Sequence, residues 1–156
     1  MLTPDLWGGG KNFGETNNLQ TERLKMILEK DPICFNHNLE TVERLQKEVR
    51  RGANYKNSLS LLRKSKDIAP HIQTKSGIML GLGETLDEIK NTIYDLKNID
   101  CDQITIGQYL RPSLNHLAVK KYWNPSEFEY LYRFSMELGF KKVSSGPLVR
   151  SSYHAG

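Results

Sequence analysis

The sequence predicts an α/β fold in which parallel strands alternate with helices, and three observations support this. Short apolar runs bounded by turn residues alternate with segments of helical spacing, which is typical of βαβ units. The runs are continuously apolar, as in strands covered on both faces. The length of 156 residues suits one domain, whereas a complete (β/α)8 barrel needs about 250 residues.

Five helices are predicted where apolar residues recur at intervals of three and four. They span 19–30, 40–51, 57–68, 85–98 and 125–138. The third ends before Pro70, where a helix should stop. The fourth is the clearest, because Thr85 and Glu88 form a capping box. Asn124 caps the fifth, with Pro125 at its first position.

Four short strands are predicted between these helices. They span Ile33–Asn36, Gly77–Leu80, Gln103–Gly107 and Lys142–Ser144. A further strand is expected to end just before the flexible stretch Trp7-Gly8-Gly9-Gly10, and the tail over 146–156 is expected to be irregular.

Composition excludes several classes of protein. There is no apolar run long enough to cross a bilayer and no secretory signal at the start, and few cysteines are present, so a cytoplasmic location is expected. The net charge of +4 comes from scattered basic residues on the polar sides of predicted helices. That placement indicates solvated faces rather than a nucleic-acid site, and it is compatible with an acidic protein partner.

The two cysteines, Cys34 and Cys101, lie far apart without CxxC spacing. They cannot supply the four protein ligands of an ordinary iron–sulfur cluster or of a structural zinc site.

Polar residues follow three of the predicted strands. They are Asn36, His37, Asn38 and Glu40 after one strand, Gly81, Gly83, Glu84 and Thr85 after the next, and Gln108, Tyr109 and Arg111 after the third. In a parallel sheet these positions share the carboxyl edge, where barrels and open α/β sheets bind ligands.

The turn after the second of these strands allows two interpretations. Gly81 and Gly83 would let a ligand approach the backbone beside the free N–H groups of a helix start. The segment is neither a dinucleotide fingerprint, since Leu86 replaces the last glycine, nor a P-loop. A tight strand-to-helix turn is an equally good interpretation.

The histidines alone give little indication of a functional site. His37 is expected to be a hydrogen-bonded structural residue rather than a base, and His116 to lie in a surface turn. The tail places arginine, two serines, tyrosine and histidine consecutively over 150–154. It is either a frayed terminus or a docked tail that brings polar groups to the carboxyl edge.

Taken together, several strings resemble lipoyl synthase, a radical S-adenosylmethionine (SAM) enzyme. They are LTPD at 2–5, FNHNLETV at 35–42, TKSGIMLGLGET at 74–85, TIGQYLRPS at 105–113 and SGPLVRSSYHA at 145–155. The last string is the most specific, and the segment from Gly77 to Glu84 also resembles the superfamily's GxIxGxxE motif, with Met79 at the usual isoleucine position.

The resemblance implies a partial radical-SAM type (β/α)6 barrel that retains about strands three to six within residues 1–110. Residues 111–156 would form a C-terminal extension with the helix at 125–138 and the RSSYHA tail. The implied cofactors are SAM, cleaved to a 5′-deoxyadenosyl radical, and two [4Fe–4S] clusters, one of them sacrificed as the sulfur source. The product would be a lipoyl group made from a protein-bound octanoyl chain.

The resemblance also implies roles for particular residues, although it assigns no catalytic side chain. Ser151 would be the oxygen ligand of the auxiliary [4Fe–4S] cluster, with Arg150 supporting that site. The residues matching the SAM-pocket motif are Gly77, Gly81, Gly83 and Glu84. Those matching strand-end positions near SAM or substrate are Asn36, Asn38, Glu40, Gln108 and Tyr109.

The chain departs from the family pattern because the motifs CxxxxCxxxxxC and CxxxCxxC are both absent. They are expected upstream of Met1, and Cys34 and Cys101 are expected to be buried apolar residues. We therefore expect the C-terminal part of a lipoyl synthase, inactive alone, with an open sheet edge, poor solubility and weak amide protection over residues 1–10.

Two alternatives stay open. One is a cluster-free module that binds lipoyl carrier domains through its basic helices. The other is one half of a split enzyme whose N-terminal half-chain supplies the six cysteines. The expected partners are octanoylated carrier domains, namely subunits of 2-oxoacid dehydrogenases and the glycine cleavage H protein, with no nucleic acid and no membrane.

Overall fold

The computed structural model describes residues 13–30, 34–50, 52 and 54–149, with side chains from residue 21 onward. Its centre is a four-stranded, all-parallel sheet in the order β1-β2-β3-β4. The strands are β1 Cys34–Asn36, β2 Gln73–Leu80, β3 Gln103–Gln108 and β4 Lys142–Gly146. The predicted α/β class is confirmed, and over the described ranges the sheet is open. The strand predicted before Trp7 and the tail after Val149 lie outside these residues.

Helices connect the strands. They are α1 Phe13–Glu29, α2 Gln46–Val49, α3 Tyr55–Ile68, α4 Leu86–Asn98 and α5 Pro125–Leu138. Both predicted caps are confirmed, since Thr85 with Glu88 and Asn124 with Glu127 form complete capping boxes. Gly139 ends α5 with a positive φ of 101°, a conformation that glycine adopts without strain. No helix within the described ranges is both long and apolar enough to span a bilayer.

The helix predicted over 40–51 is wrong. Glu40 instead continues the pairing of β1 with β2, since its N–H donates to the carbonyl of Gly77 (3.0 Å) and its carbonyl accepts from the N–H of Met79 (2.8 Å). Its φ of +70° is incompatible with a helix start. A 3-10 turn at Glu43–Leu45 and the single turn of α2 follow. Long-range strand pairing thus overrides the apolar spacing of the segment.

Strand β2 begins at Gln73, four residues before the predicted start at Gly77. The extra residues are polar, so the apolar pattern does not reveal them. Thr74, Lys75 and Ser76 are nevertheless buried between neighbouring strands. Polar buried strand residues of this kind satisfy their backbone in the sheet while their side chains find local partners.

The two faces of the sheet differ in chemistry. The outer face carries Phe35, Ile78, Leu80, Ile104 and Ile106, which form one core with helix residues including Leu61, Ile89, Leu96 and Leu131. The strand register places mostly small and polar residues on the opposite, inner face, where Met79 is the one large apolar side chain among the strand residues: Cys34, Asn36, Gln73, Lys75, Gly77, Met79, Gln103, Thr105, Gly107, Lys142, Ser144 and Gly146. The amide of Gln103 donates to Gln73 there at 2.6 Å.

A buried carboxylate ties the amino edge of the sheet to its helices. Asp102 is 6% exposed and accepts from the Lys66 ammonium at 2.7 Å and from the N–H of Thr74 at 2.8 Å. Lys141 lies 3.4 Å away. Burial acts to raise the pKa of Asp102, but these donors outweigh it and hold the pKa below its usual range.

Candidate functional site

The three polar clusters meet at the carboxyl edge of the sheet. The parallel register brings the ends of β1, β2 and β3 together, and backbone hydrogen bonds continue past the strands. The N–H of His37 donates to the carbonyl of Lys75, and that of Tyr109 to the carbonyl of Leu80. The predicted juxtaposition of these segments at one edge is therefore present.

A cavity of about 820 Å³ opens at this edge. It is lined by Glu40, Glu48, Val49, Arg50, Met79, Leu82, Tyr109, Leu110, Pro112, Asn115, His116 and Leu117. Its walls are mainly apolar, with a few charged and polar groups, which is the usual make-up of a small-molecule site. The volume falls within the range of about 300–1,000 Å³ typical of such sites.

The glycine turn after β2 is held by its own acidic residue. Gly81 and Gly83 have φ of +113° and +114°. One carboxylate oxygen of Glu84 accepts from the N–H groups of Gly81 (2.8 Å) and Leu82 (3.3 Å). The other oxygen is buried and has no hydrogen-bond partner among the described residues. The turn amides are thus already occupied by a carboxylate rather than open to an anion.

Arg44, which lies between β1 and α2, holds the same glycine turn through side-chain hydrogen bonds. Its guanidinium donates to the Gly83 carbonyl at 2.8 Å and to both carboxylate oxygens of Glu88 at 2.8 and 3.0 Å. The hydrogen bonds from Arg44, together with the N–H of Thr85, lower the pKa of Glu88 to about 2. Thr85 and Glu88 also engage each other's N–H groups, so the start of α4 offers few open donors.

Gln108 and Tyr109 fix the loop that follows β3. The Gln108 amide donates to the carbonyls of Tyr109 and Lys121, both at 3.0 Å, and accepts from the N–H of Trp123 at 3.0 Å. The Tyr109 hydroxyl donates to the Leu117 carbonyl at 2.6 Å. Both side chains are buried and act first as anchors that shape one wall of the cavity.

The residues after β1 play different parts. Glu40 lines the cavity, and burial raises the pKa of its carboxyl although Arg50 and Asn38 oppose the rise. His37 is buried, with its Nε2 atom 3.2 Å from the Ser58 hydroxyl, so it is hydrogen-bonded as predicted. Asn36 is buried at the same edge but is not part of the cavity lining.

The described residues contain no group of three or more histidine, cysteine or acidic side chains placed to hold a metal ion. Cys34 begins β1 and Cys101 precedes β3, so both lie toward the edge opposite the cavity. Cys101 is buried, as predicted, and burial raises its pKa to about 12, while Cys34 is half-buried with a raised pKa. The proposed cluster residues Ser151 and Arg150 lie outside the described residues.

Sequence comparison supplies the deciding observation. Over all 156 residues the chain is 78% identical to lipoyl synthase 2 of Prochlorococcus marinus subsp. pastoris, covering 52% of that protein. It is 48% identical over its full length to lipoyl synthase 2 of Gloeobacter violaceus. A lipoyl synthase of Hydrogenovibrio crunogenus is 53% identical over 135 residues, which are 86% of this chain and 43% of that protein.

The chain belongs to the lipoyl synthase family.

The chain spans about half the length of the curated lipoyl synthases that it matches. This agrees with the resemblance to a C-terminal portion that is seen in the sequence motifs. No protein-family model matches the chain.

In this lipoyl synthase homologue, the sequence motifs predict a site at the carboxyl edge of the sheet but do not identify every residue that lines the cavity. Glu40 and Tyr109 line the cavity, whereas Gly81, Glu84 and Gln108 shape the segments around it. The apolar walls at Met79, Leu82, Leu110 and Leu117 were not singled out, nor was Arg50. Met79 lies within β2, and Leu82 and Leu110 follow β2 and β3 by two residues, so their positions near strand ends could have indicated them. Arg50 and Leu117 lie farther along the chain, where no local pattern indicates them.

Proposed function

We propose that this chain is the C-terminal part of a lipoyl synthase, which inserts two sulfurs into an octanoyl chain attached to a carrier-protein lysine. The carboxyl-edge cavity carries this proposal, because Leu82 of the glycine turn, the Glu40 carboxyl and several apolar side chains line one ligand-sized space. The whole-length identity to proteins named lipoyl synthase supports it.

The cavity suits the adenosyl part of SAM. Met79, Leu82 and Tyr109 offer apolar surroundings for a base, and the Glu40 carboxyl can accept hydrogen bonds from ribose hydroxyls. Gly81 lies beside the cavity, where the absence of a side chain lets the turn pack against Gln108. When bound, SAM supplies the radical chemistry that an unactivated C–H bond requires. The protein's own task is to orient its ligands and exclude water.

The described residues do not fit an iron–sulfur cluster. Cys34 and Cys101 lie toward the amino edge, and the raised pKa of each thiol opposes formation of the thiolate that binds iron. The cluster ligands must therefore come mainly from elsewhere, and we propose that Ser151 contributes the one ligand of this chain to the auxiliary cluster. An oxygen donor holds a thiophilic iron less firmly than a thiolate does, which suits a cluster that is dismantled.

The isolated chain should consequently make no lipoyl groups. The test is to reconstitute the purified chain with iron and sulfide, add SAM, reductant and an octanoylated carrier domain, and look for the lipoyl mass by mass spectrometry. Product formed by the chain alone would contradict the proposal. Addition of the part of the Prochlorococcus relative that this chain does not match, where both cysteine motifs are expected, should restore product.

SAM binding tests the cavity separately from turnover. We expect the chain to bind SAM in calorimetry, and Glu40→Gln to weaken binding about tenfold through loss of one acceptor oxygen, equivalent to about 1.4 kcal/mol. Glu129→Gln is the matched control, since Glu129 pairs with Arg133 on the exposed surface of α5. Equal SAM affinities for the unmodified chain and both variants would show that Glu40 does not contribute to SAM binding.

The split-enzyme alternative leads to a further expectation about the neighbouring gene sequence. A separate reading frame next to this one would encode the two cysteine motifs, whereas an in-frame extension upstream of Met1 would indicate a single longer protein. The nucleotide sequence on that side distinguishes the two. For both we propose a barrel part at 1–110 and an extension at 111–156, with β4 of the extension pairing with β3.

A further inference from the structure

The loop at residues 110–122, which we call the rim loop, has two different sides. On one side Leu110, Pro112 and Leu117 line the cavity. On the other side Leu114 is 86% exposed and Tyr122 is 70% exposed. Single exposed apolar residues are ordinary on protein surfaces, but several on one short segment beside a ligand cavity indicate a contact surface.

The rim loop is held in place rather than loosely tethered. Arg111 donates to the carbonyls of Leu114 (2.8 Å) and His116 (2.9 Å). The Ser113 hydroxyl lies 2.8 Å from His116 Nδ1. The N–H of Lys120 donates to the carbonyl of Gly81 at 2.7 Å, which joins the far end of the loop to the glycine turn. The exposed position of Leu114 is therefore built into the loop, and a preorganised surface loses little entropy on binding.

The loop also carries charge of one sign. No acidic residue occurs between Asp102 and Glu127, whereas Arg111, Lys120 and Lys121 all fall in that interval. The Lys121 ammonium pairs with Glu127 at 3.1 Å, so Arg111 and Lys120 account for the positive charge of the loop. Such a surface favours an acidic partner and steers its approach.

We propose that the rim loop docks the protein that carries the substrate, an acidic folded domain with an apolar patch beside its acylated lysine. This inference rests on the proposed function, because it takes the substrate to be attached to a protein. Charge complementarity selects the partner. The continuity of the loop with the cavity wall places any domain seated on Leu114 beside the carboxyl edge, where its acyl chain is needed.

The test uses the whole chain and an octanoylated carrier domain, with binding measured by biolayer interferometry at low salt. Leu114→Asp should weaken binding at least tenfold, since it replaces the apolar centre of the contact with a charge that repels an acidic partner. Lys120→Glu should weaken it as well and reduce its salt dependence. Met26→Asp on α1 is the matched control, because Met26 is also exposed (64%), and it should stay within twofold.

Four results would overturn the proposal, three of them in carrier binding. They are unchanged carrier affinity in Leu114→Asp, equal weakening in the Met26 control, and no carrier binding by the unmodified chain. A fourth is a Leu114→Asp variant that instead loses self-association or binding of the N-terminal half, which would assign the loop to another chain. SAM calorimetry on the same variants separates these outcomes from failure of the proposed function, since SAM affinity should not change in Leu114→Asp.

Discussion

Gly81 and Gln108 lie in direct contact, so that a Cβ atom at Gly81 would overlap the Gln108 amide nitrogen and come within 2.6 Å of the Lys121 carbonyl. That amide nitrogen is the atom that holds the Lys121 and Tyr109 carbonyls. The glycine turn after β2 and the loop after β3 are therefore fitted to each other, and the shape of the cavity depends on that fit.

Gly81→Ala should destabilise the protein by about 2–4 kcal/mol, as the sum of left-handed strain and overpacking. Gly52→Ala is the matched control, because Gly52 also has a positive φ (+78°) but nothing lies within 4 Å of the added Cβ. Its cost should be strain alone, about 1 kcal/mol. Urea unfolding of both variants measures the difference, and equal losses would show that the contact with Gln108 does not matter.

Asp102→Asn should cost about 2–3 kcal/mol, because it leaves the Lys66 ammonium beside a neutral amide at a largely buried site. Asp100→Asn removes a carboxylate that is 63% exposed and paired with Arg63, so the loss should be under about 1 kcal/mol. Chemical denaturation at pH 7 compares the two. A loss in Asp100→Asn as large as that in Asp102→Asn would contradict the importance of burial.

Glu88 should make the free energy of unfolding depend on pH in the acidic range. Its folded pKa of about 2 lies below the value of about 4.3 expected in the unfolded chain. Its contribution is therefore complete above pH 4.3 and is lost as the pH falls toward 2. We expect Glu88→Gln to be less stable than the unmodified chain by about 1 kcal/mol at pH 6, after allowance for solvent screening. The difference should shrink below pH 4, and one that grew with acid would refute the assignment.

Cys101 should resist thiol reagents in the folded protein. With a pKa of about 12, only about one thiol in 10⁴ is ionised at pH 8, and burial adds a steric barrier. Cys34, half-buried with a raised pKa, should react slowly but ahead of Cys101. Labelling followed by mass spectrometry, with a urea-unfolded control in which both react fully, gives the order. Rapid native labelling of Cys101 would contradict its buried position.

Local chemistry explains what the sequence predicts well. The caps at Thr85 and Asn124 are local hydrogen-bond patterns, and the helices they begin lie where the sequence places them. The segment around Glu40 is different, because its conformation is set by pairing with Gly77 and Met79, residues distant in the chain. No local pattern contains that information.

The same distinction applies to the candidate site. The gathering of strand ends follows from parallel topology alone and is therefore predictable. The occupation of the turn amides by Glu84, and the use of Gln108 as an anchor, depend on distances between side chains in the folded chain. The rim loop lacks a periodic pattern, so its apolar residues show their two-sided placement only in three dimensions.

The inner face of the sheet has a consequence for volume. In a filled barrel, branched aliphatic side chains from the strands occupy the interior in layers. Here Gly77, Gly107 and Gly146 stand on that face, and the Val149 carbonyl packs where a side chain of residue 107 would be. Strands that carry glycine in this way leave room for other segments to pack against the sheet, and here the backbone at Val149 fills part of that room.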